Sequence, residues 1–303
     1  MALTERTELF NRITQRGVYD ITSIGVHPGA IFFANSGHGS ASDAAGFGKS
    51  PDSPVATIDY AMSLCTAENG DVIYAMPGHV ETIAAAGGLN FDVIGVHLIG
   101  LGNGTIQAQL DFTAEASSVT VTAAGVTIED MWLQSSFVDI TIAVDVSAED
   151  FTFRHNRIDM AAADENFLIC IQDDDAAAAG RMVIEDNTVY QNDTNNTHFV
   201  DFGGTGDGHQ VNRNRILGDF DTICIGGAGV VTMTQVNDNY VYHSGNDADA
   251  IINFADTATG IVCNNRSGTL GSAAGNSCLD MSLLENYHVN ISDANGILDP
   301  IAT

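Results

Sequence analysis

Short runs in which apolar and polar residues alternate recur along most of this chain, bounded by Gly, Asp and Asn. Alternation with period two places one side of an extended segment in a core and the other in water, so these runs predict β-strands. Seven of them share a longer pattern: TIEDMWL, FRHNRID, IEDNTVY, VNRNRIL, VNDNYVY, VCNNRSG and LLENYHV. Their fourth residues are Asp130, Asn156, Asn187, Asn214, Asn239, Asn265 and Asn286, at a mean interval of 26 residues. A mostly apolar column lies three positions earlier, from Thr127 and Phe153 to Leu283, and another two positions later, from Trp132 and Ile158 to His288.

A second set of runs follows the first: ITIAVDV, NFLICIQD, THFVDF, DTICIGG, DAIINFA and SCLDMS. Each repeat therefore holds at least two strands, with room for a short third, and carries no helical periodicity. A repeat of this length built only from strands predicts one coil of a parallel β-helix, a solenoid that stacks each coil on the last at ~4.8 Å. Roughly nine coils are expected over residues 70–290. Stacking in register piles like side chains on one another, so Asn156, Asn187, Asn214, Asn239, Asn265 and Asn286 are expected to form a structural ladder along one corner. Asn suits a corner because it tolerates left-handed backbone and bonds nearby peptide groups.

The region before the repeats differs. Residues 1–34 are expected to be an N-terminal arm with an amphipathic helix over 4–16, which Thr4 caps and Gly17 ends. Leu9, Phe10 and Ile13 share one face of that helix, and Arg12 and Arg16 add positive charge, so the arm is a candidate partner-binding and oligomerisation segment. Residues 35–69 are expected to be a Gly/Ser/Asp loop followed by a capping helix over 54–67, and residues 291–303 a C-terminal tail. The interval between Asn156 and Asn187 holds an insertion, DDDAAAAG, expected to bulge from a corner as a solvated turn. His155, His209 and His243 are expected at the surface or in turns.

Charge narrows the function classes. The chain has 303 residues, 10 Lys+Arg against 39 Asp+Glu and a net charge of −29, with Lys49 its one lysine. Phosphate contacts need a basic surface, so nucleic acid is excluded as a partner. No apolar run is long enough to span a membrane. The first residues lack the apolar stretch of a signal peptide, so a protein that is not secreted is expected. Five cysteines, an odd number with no CxxC or Cys/His spacing, predict buried free thiols, with no metal and no cofactor.

The order of motifs at the entry resembles right-handed parallel β-helix proteins of the pectin-lyase-like superfamily. The matching residues are Gly48, Ser53, Pro54, Thr57, Ile58 and Ala61, then Gly70, Asp71, Ile73, Pro77 and Gly78, and later the turn LIGLGNGT. The resemblance implies a right-handed, single-stranded parallel β-helix, so the expected fold is all-β, with the N-terminal helical arm and short capping helix read above. It does not fix function, because that fold carries lyases, hydrolases, adhesins and viral spikes. The superfamily's hydrolases imply clustered aspartates, for which Asp173, Asp174 and Asp175 are the candidates, together with a downstream GHG and a basic RIK. The GHG here, Gly37–His38–Gly39, lies upstream, and RIK is missing. Its lyases imply a calcium-binding aspartate cluster with an arginine base. Arg157 and Arg215 should share a column two coils apart, but no carboxylate cluster accompanies them. No catalytic residue is therefore expected.

The expectation is a non-enzymatic virion structural protein of a tailed phage, a capsid decoration or cement protein made in the host cytoplasm. It would bind the major capsid protein or other virion proteins as a homotrimer. The alternative is a tailspike or receptor-binding protein that binds or degrades host polysaccharide.

Overall fold

The structure, a computed structural model, describes residues 29–173, 179–191, 193–243, 252–254, 258–269, 287–288, 290–292 and 296–298, with side chains as far as Arg266. Leu9, Phe10, Arg12, Ile13, Arg16, Asp174, Asp175, Cys278 and Asn286 lie outside the described residues.

Each coil visits three sheets in turn. One coil runs through Thr127–Glu129, Trp132–Ser135 and Ile140–Val146, and the next through Thr152–Arg154, Arg157–Met160 and Phe167–Asp173. Corresponding strands of successive coils pair in parallel, giving a first sheet of ten strands, a second of ten and a third of seven. The chain is thus a parallel β-solenoid; among the described strands Gly296–Leu298 departs from parallel pairing, lying antiparallel to Asn290–Ser292. The estimate of nine coils was too high: among the described residues at most seven can be complete on all three sides, because the third sheet has seven strands.

Alternation explains the core. In the first sheet Leu98, Ile128, Phe153, Ile184, Val211 and Val236 stack in register and are fully buried. Phe112 and Phe167 meet edge to face across the interior at 5.0 Å. The parallel pairing uses the strand backbone, so the core needs little besides apolar side chains of matched size stacked on one another.

Two corners of the coil are set by single residues in left-handed conformation. Between the first and second sheets these are Asp130, His155, Asp186, Arg213, Asp238 and Asn264, with φ between 55° and 59°. Between the third and first they are Gly95, Gly125, Asp150, Arg181, Gly208 and Met233. The left-handed residue at the first of these corners precedes the ladder asparagine, so the Asn does not itself supply the turn. Glycine costs nothing there and Asp or Asn little, whereas His155, Arg181, Arg213 and Met233 carry a local strain that the coils on either side hold in place.

The solenoid begins earlier than residue 70. Ile31–Ala34, assigned to the arm from sequence, is a strand paired with Val72–Ala75. The helix that follows is shorter than expected, Ile58–Ser63, capped by Thr57, whose hydroxyl accepts from the Tyr60 N–H at 3.1 Å. It buries Ile58, Ala61 and Met62 against the first coil, as a cap should. Polar side chains tie it down. The buried Glu81 carboxylate accepts from the Ile58 N–H at 2.8 Å and from His79 Nε2 at 3.0 Å, while His79 Nδ1 accepts from the Ser36 N–H. A neutral imidazole that accepts at Nδ1 must carry its proton at Nε2, so the relay has one consistent polarity. Asp71, also buried, accepts from the backbone N–H groups of Ala30 and Thr66 and from the Asn69 amide.

Candidate functional site

The asparagine column is a ladder. Asn156, Asn187, Asn214, Asn239 and Asn265 are each 1 % exposed or less. The Oδ1 of each accepts the backbone N–H of the residue one coil earlier: Met131 to Asn156 at 2.8 Å, Asn156 to Asn187 at 2.9 Å, Asn187 to Asn214 at 3.1 Å, and so to Asn265. The Nδ2 of each donates back to a strand carbonyl of the earlier coil, such as Phe153 O from Asn187 at 3.0 Å. These amides satisfy backbone groups that a two-residue corner would otherwise bury unpaired. The register corrects two assignments. Phe153 pairs with Ile128, so Met131 and not Asp130 stands in the ladder column. Val262 pairs with Tyr287 and Arg266 with Ile291, which puts residue 290, also an asparagine, at the ladder register in place of Asn286.

Outside the ladder, the same corner carries a ridge of charge. Glu129, Arg154 and Glu185 follow one another in register, and beside them run Asp130, His155, Asp186 and Arg213. Glu129 is the hub. Its Oε2 accepts from Arg154 Nη2 at 2.8 Å and lies 2.9 Å from His97 Nε2, and its Oε1 lies 3.3 Å from His155 Nδ1. The bond from His97, then that from Arg154, hold its carboxyl down at about 2 against the opposing effect of burial. Asp130 moves the other way, raised by burial and by the neighbouring Glu129. Further along, Arg213 bonds both Glu185 and Asp186, and at the opposite corner Arg181 bonds Glu149 and Asp150.

Glu129, Asp130 and His155 place one donor atom each within 4.8 Å of the others, a set able to hold a divalent cation. The Arg154 guanidinium already sits on Glu129, however, and a cation would have to displace it. Arg154 and His155 are also 37 % and 47 % exposed, so water reaches this set.

The remaining candidates are dispersed. Arg157 and Arg215 do share a column of the second sheet, two coils apart with Thr188 between them. Arg157 lies over the Trp132 ring, 4.5 Å from its centroid, and pairs with Asp159. Asp173 is not a solvated turn residue: it ends a strand, is fully buried and stacks between Val146 and Phe202. His38 stands on an exposed loop. His155 is exposed at its corner as expected, but His209 and His243 are buried, a correction to their assignment at the surface. The His209 ring packs 4.9 Å from Phe202, and burial pushes its pKa down to about 4. Cys170 and Cys224 are buried free thiols, both pushed up by desolvation.

Sequence reasoning missed a second polar stack. Asn166 Oδ1 accepts the Asp139 N–H at 2.8 Å, and its amide donates to Asn196 Oδ1. No constant interval marks it, because the connections between the second and third sheets vary in length. Comparison with protein-family models, curated proteins and solved structures gives no match to this chain.

Proposed function

We propose that this chain is a non-catalytic structural protein, a rigid acidic rod whose right-handed coils decorate or reinforce a larger assembly. In its sharpest form the proposal is a capsid decoration protein on the head of a tailed phage, held to the shell through residues 1–34. The observation that carries the reading is the use made of polar groups. The inward amides, the ridge carboxylates and Arg154, Arg181 and Arg213 are engaged with the coil before or after, so they stiffen the rod and do not converge on a reacting centre. A net charge of −29 keeps such rods apart in solution and confines contact to chosen surfaces.

The test is composition. Density-banded particles from the source should contain the chain at a fixed stoichiometry to the major shell protein, in hundreds of copies. A few copies per particle would place it in a tail or vertex. Its absence from particles, or release of reducing ends from an acidic or neutral polysaccharide by the purified protein, would overturn the proposal.

A further inference from the structure

The second sheet changes character along the axis. On its outward side the later strands present Tyr190, then Arg215 and Leu217, then Tyr240 and Tyr242, then Arg266. Arg215, Tyr240 and Arg266 stand in one column, each in register with the next. From Thr188 to Arg266 no Asp, Glu, Asn or Gln occupies an outward position of these strands. Arg154, Arg157, Arg181 and Arg213 each form an ion pair, whereas Arg215 and Arg266 are exposed and form none among the described residues, on a chain with 39 Asp+Glu against 10 Lys+Arg. At the adjoining corner Asp186 is already bonded by Arg213, and Asp238 by Asn264. Tyr190 and Tyr240 are 50 % and 47 % exposed. Tyr and Arg side by side are the residues that most often carry binding energy at protein interfaces.

The spacing selects the partner. Two coils separate Arg215 from Arg266, a step of ~9.6 Å. The partner must supply anions that far apart, with an apolar group between them for Tyr240. An extended peptide repeats on one side every ~6.8 Å and binds through the backbone of a strand edge, which the stacked coils do not offer on a sheet face. A chain of sugar hydroxyls calls for the amides and carboxylates that these positions lack. An α-helix carries side chains i and i+7 on one line at ~10.5 Å, with i+3 and i+4 between them. Long arginine side chains absorb the difference. We propose that this face docks an acidic amphipathic helix of a partner protein, laid along the solenoid axis. Its carboxylates at i and i+7 meet Arg215 and Arg266, and an apolar side chain at i+3 or i+4 packs on Tyr240. The net charge of −29 does not forbid this, because fields beyond ~8 Å are screened at physiological salt. The docking face is separate from residues 1–34, and the inference does not rest on the virion reading.

Fluorescence anisotropy of a labelled helical peptide of about 20 residues, with Glu at i and i+7 and Leu at i+3 and i+4, tests it against the full chain. Wild type should bind with a Kd of about 100 µM. Moving the second Glu to the opposite side of the helix should weaken binding at least ~10-fold, a comparison that needs no variant of the protein. Arg215→Glu and Arg266→Glu, each with unchanged circular dichroism, should cost as much. Lys49→Glu makes the same change of charge at an exposed site outside the second sheet and should bind as wild type does. No binding by ~1 mM, equal binding of the two peptides, or an equal loss in Lys49→Glu would each overturn the proposal. Displacement of the peptide by a lower concentration of alginate would overturn it as well and assign the face to an acidic glycan. A wild-type dimer in sedimentation velocity that excludes the peptide would do the same and assign the face to a second copy.

Discussion

Replacing Asn187 by alanine removes one rung from the middle of the ladder. The buried Asn156 N–H loses its acceptor, an orphaned donor that costs ~1–3 kcal/mol. The bonds donated by Nδ2 to Phe153 O and Asn214 Oδ1 also go, at ~0.5–1.5 kcal/mol each. Asn214 Oδ1 keeps the Asn187 backbone N–H, so the lower end of that range applies to it. The total is about 3 kcal/mol, a large part of the stability of any domain. Asn195→Ala, at an exposed corner, should change stability by less than ~0.5 kcal/mol. Urea unfolding read both by circular dichroism and by Trp132 fluorescence gives the difference, and the two signals must coincide for one free energy to be meaningful in a solenoid.

Asn187→Asp separates the acceptor role from the donor role. A carboxylate still accepts from Asn156 N–H, but it turns an anion toward Phe153 O and Asn214 Oδ1, which are both acceptors. Burial must then raise its folded pKa above the unfolded ~3.9. For a group raised in the folded state, the penalty is absent below the unfolded value and grows as pH rises through the folded one. The Asp variant should therefore be less stable than the Ala variant at pH 7 and regain ground toward pH 4, where a protonated carboxyl can donate. If Asn187→Ala falls within ~0.5 kcal/mol of wild type, the ladder is ornamental and the account of the corner is wrong.

Other consequences can be read with the same unfolding assay. Glu129 is held at about 2 in the folded chain against an ordinary 4.5, so its contribution is present above 4.5 and lost as pH falls toward 2; Glu129→Gln should flatten the stability profile across that window, and an unchanged profile would count against the His97–Glu129–Arg154 hub. His209 is held at about 4 against an ordinary 6.5, so the unfolded chain takes up the proton first and stability drops as pH falls from 6.5 to 4; its imidazole resonances should titrate near 4, and His209→Gln should remove that part of the acid slope. Gly226 has φ 150°, and a Cβ there would lie 1.6 Å from Asn253 O, so Gly226→Ala should cost ~3 kcal/mol or more, while Gly39→Ala, with nothing within 4 Å, should stay within ~0.5 kcal/mol.

Much of the fold was legible because a solenoid repeats its local rule. Phe153, Ile184, Val211 and Val236 recur at the same distance before an asparagine, and the pairing places them in one buried column. The reading slipped where the repeat did. Asp130 was aligned with Asn156 because both are polar and end a similar string, yet the pairing of Ile128 with Phe153 shows that the first full corner has methionine at the ladder position. Met131 offers only its backbone N–H there, which Asn156 accepts. Asn286 was a chance match in a neighbouring register, and a pattern of one polar letter cannot separate shifts of a few residues. Ile31–Ala34 was missed as a strand because its partner, Val72–Ala75, lies beyond a long loop and a helix. The charge hub was invisible for a related reason. His97, Glu129 and Arg154 are unremarkable in their own segments and meet only when three coils are stacked.

The distribution of arginine follows from the same stacking. Parallel coils bring position after position into line at ~4.8 Å, so an uninterrupted column of carboxylates would repel itself along the rod. On the ridge this is avoided by alternation: Glu129, Arg154 and Glu185 in one line, and Asp186 followed by Arg213 in the next. Those arginines, and Arg181 at the other corner, are needed where they stand to keep the coils compatible. Arg215 and Arg266 relieve no such column. Between them in register stands Tyr240, and no carboxylate of their own strands faces them as Asp159 faces Arg157. Among the described residues these two arginines form no ion pair, so the rule that places the others at the corners does not account for them.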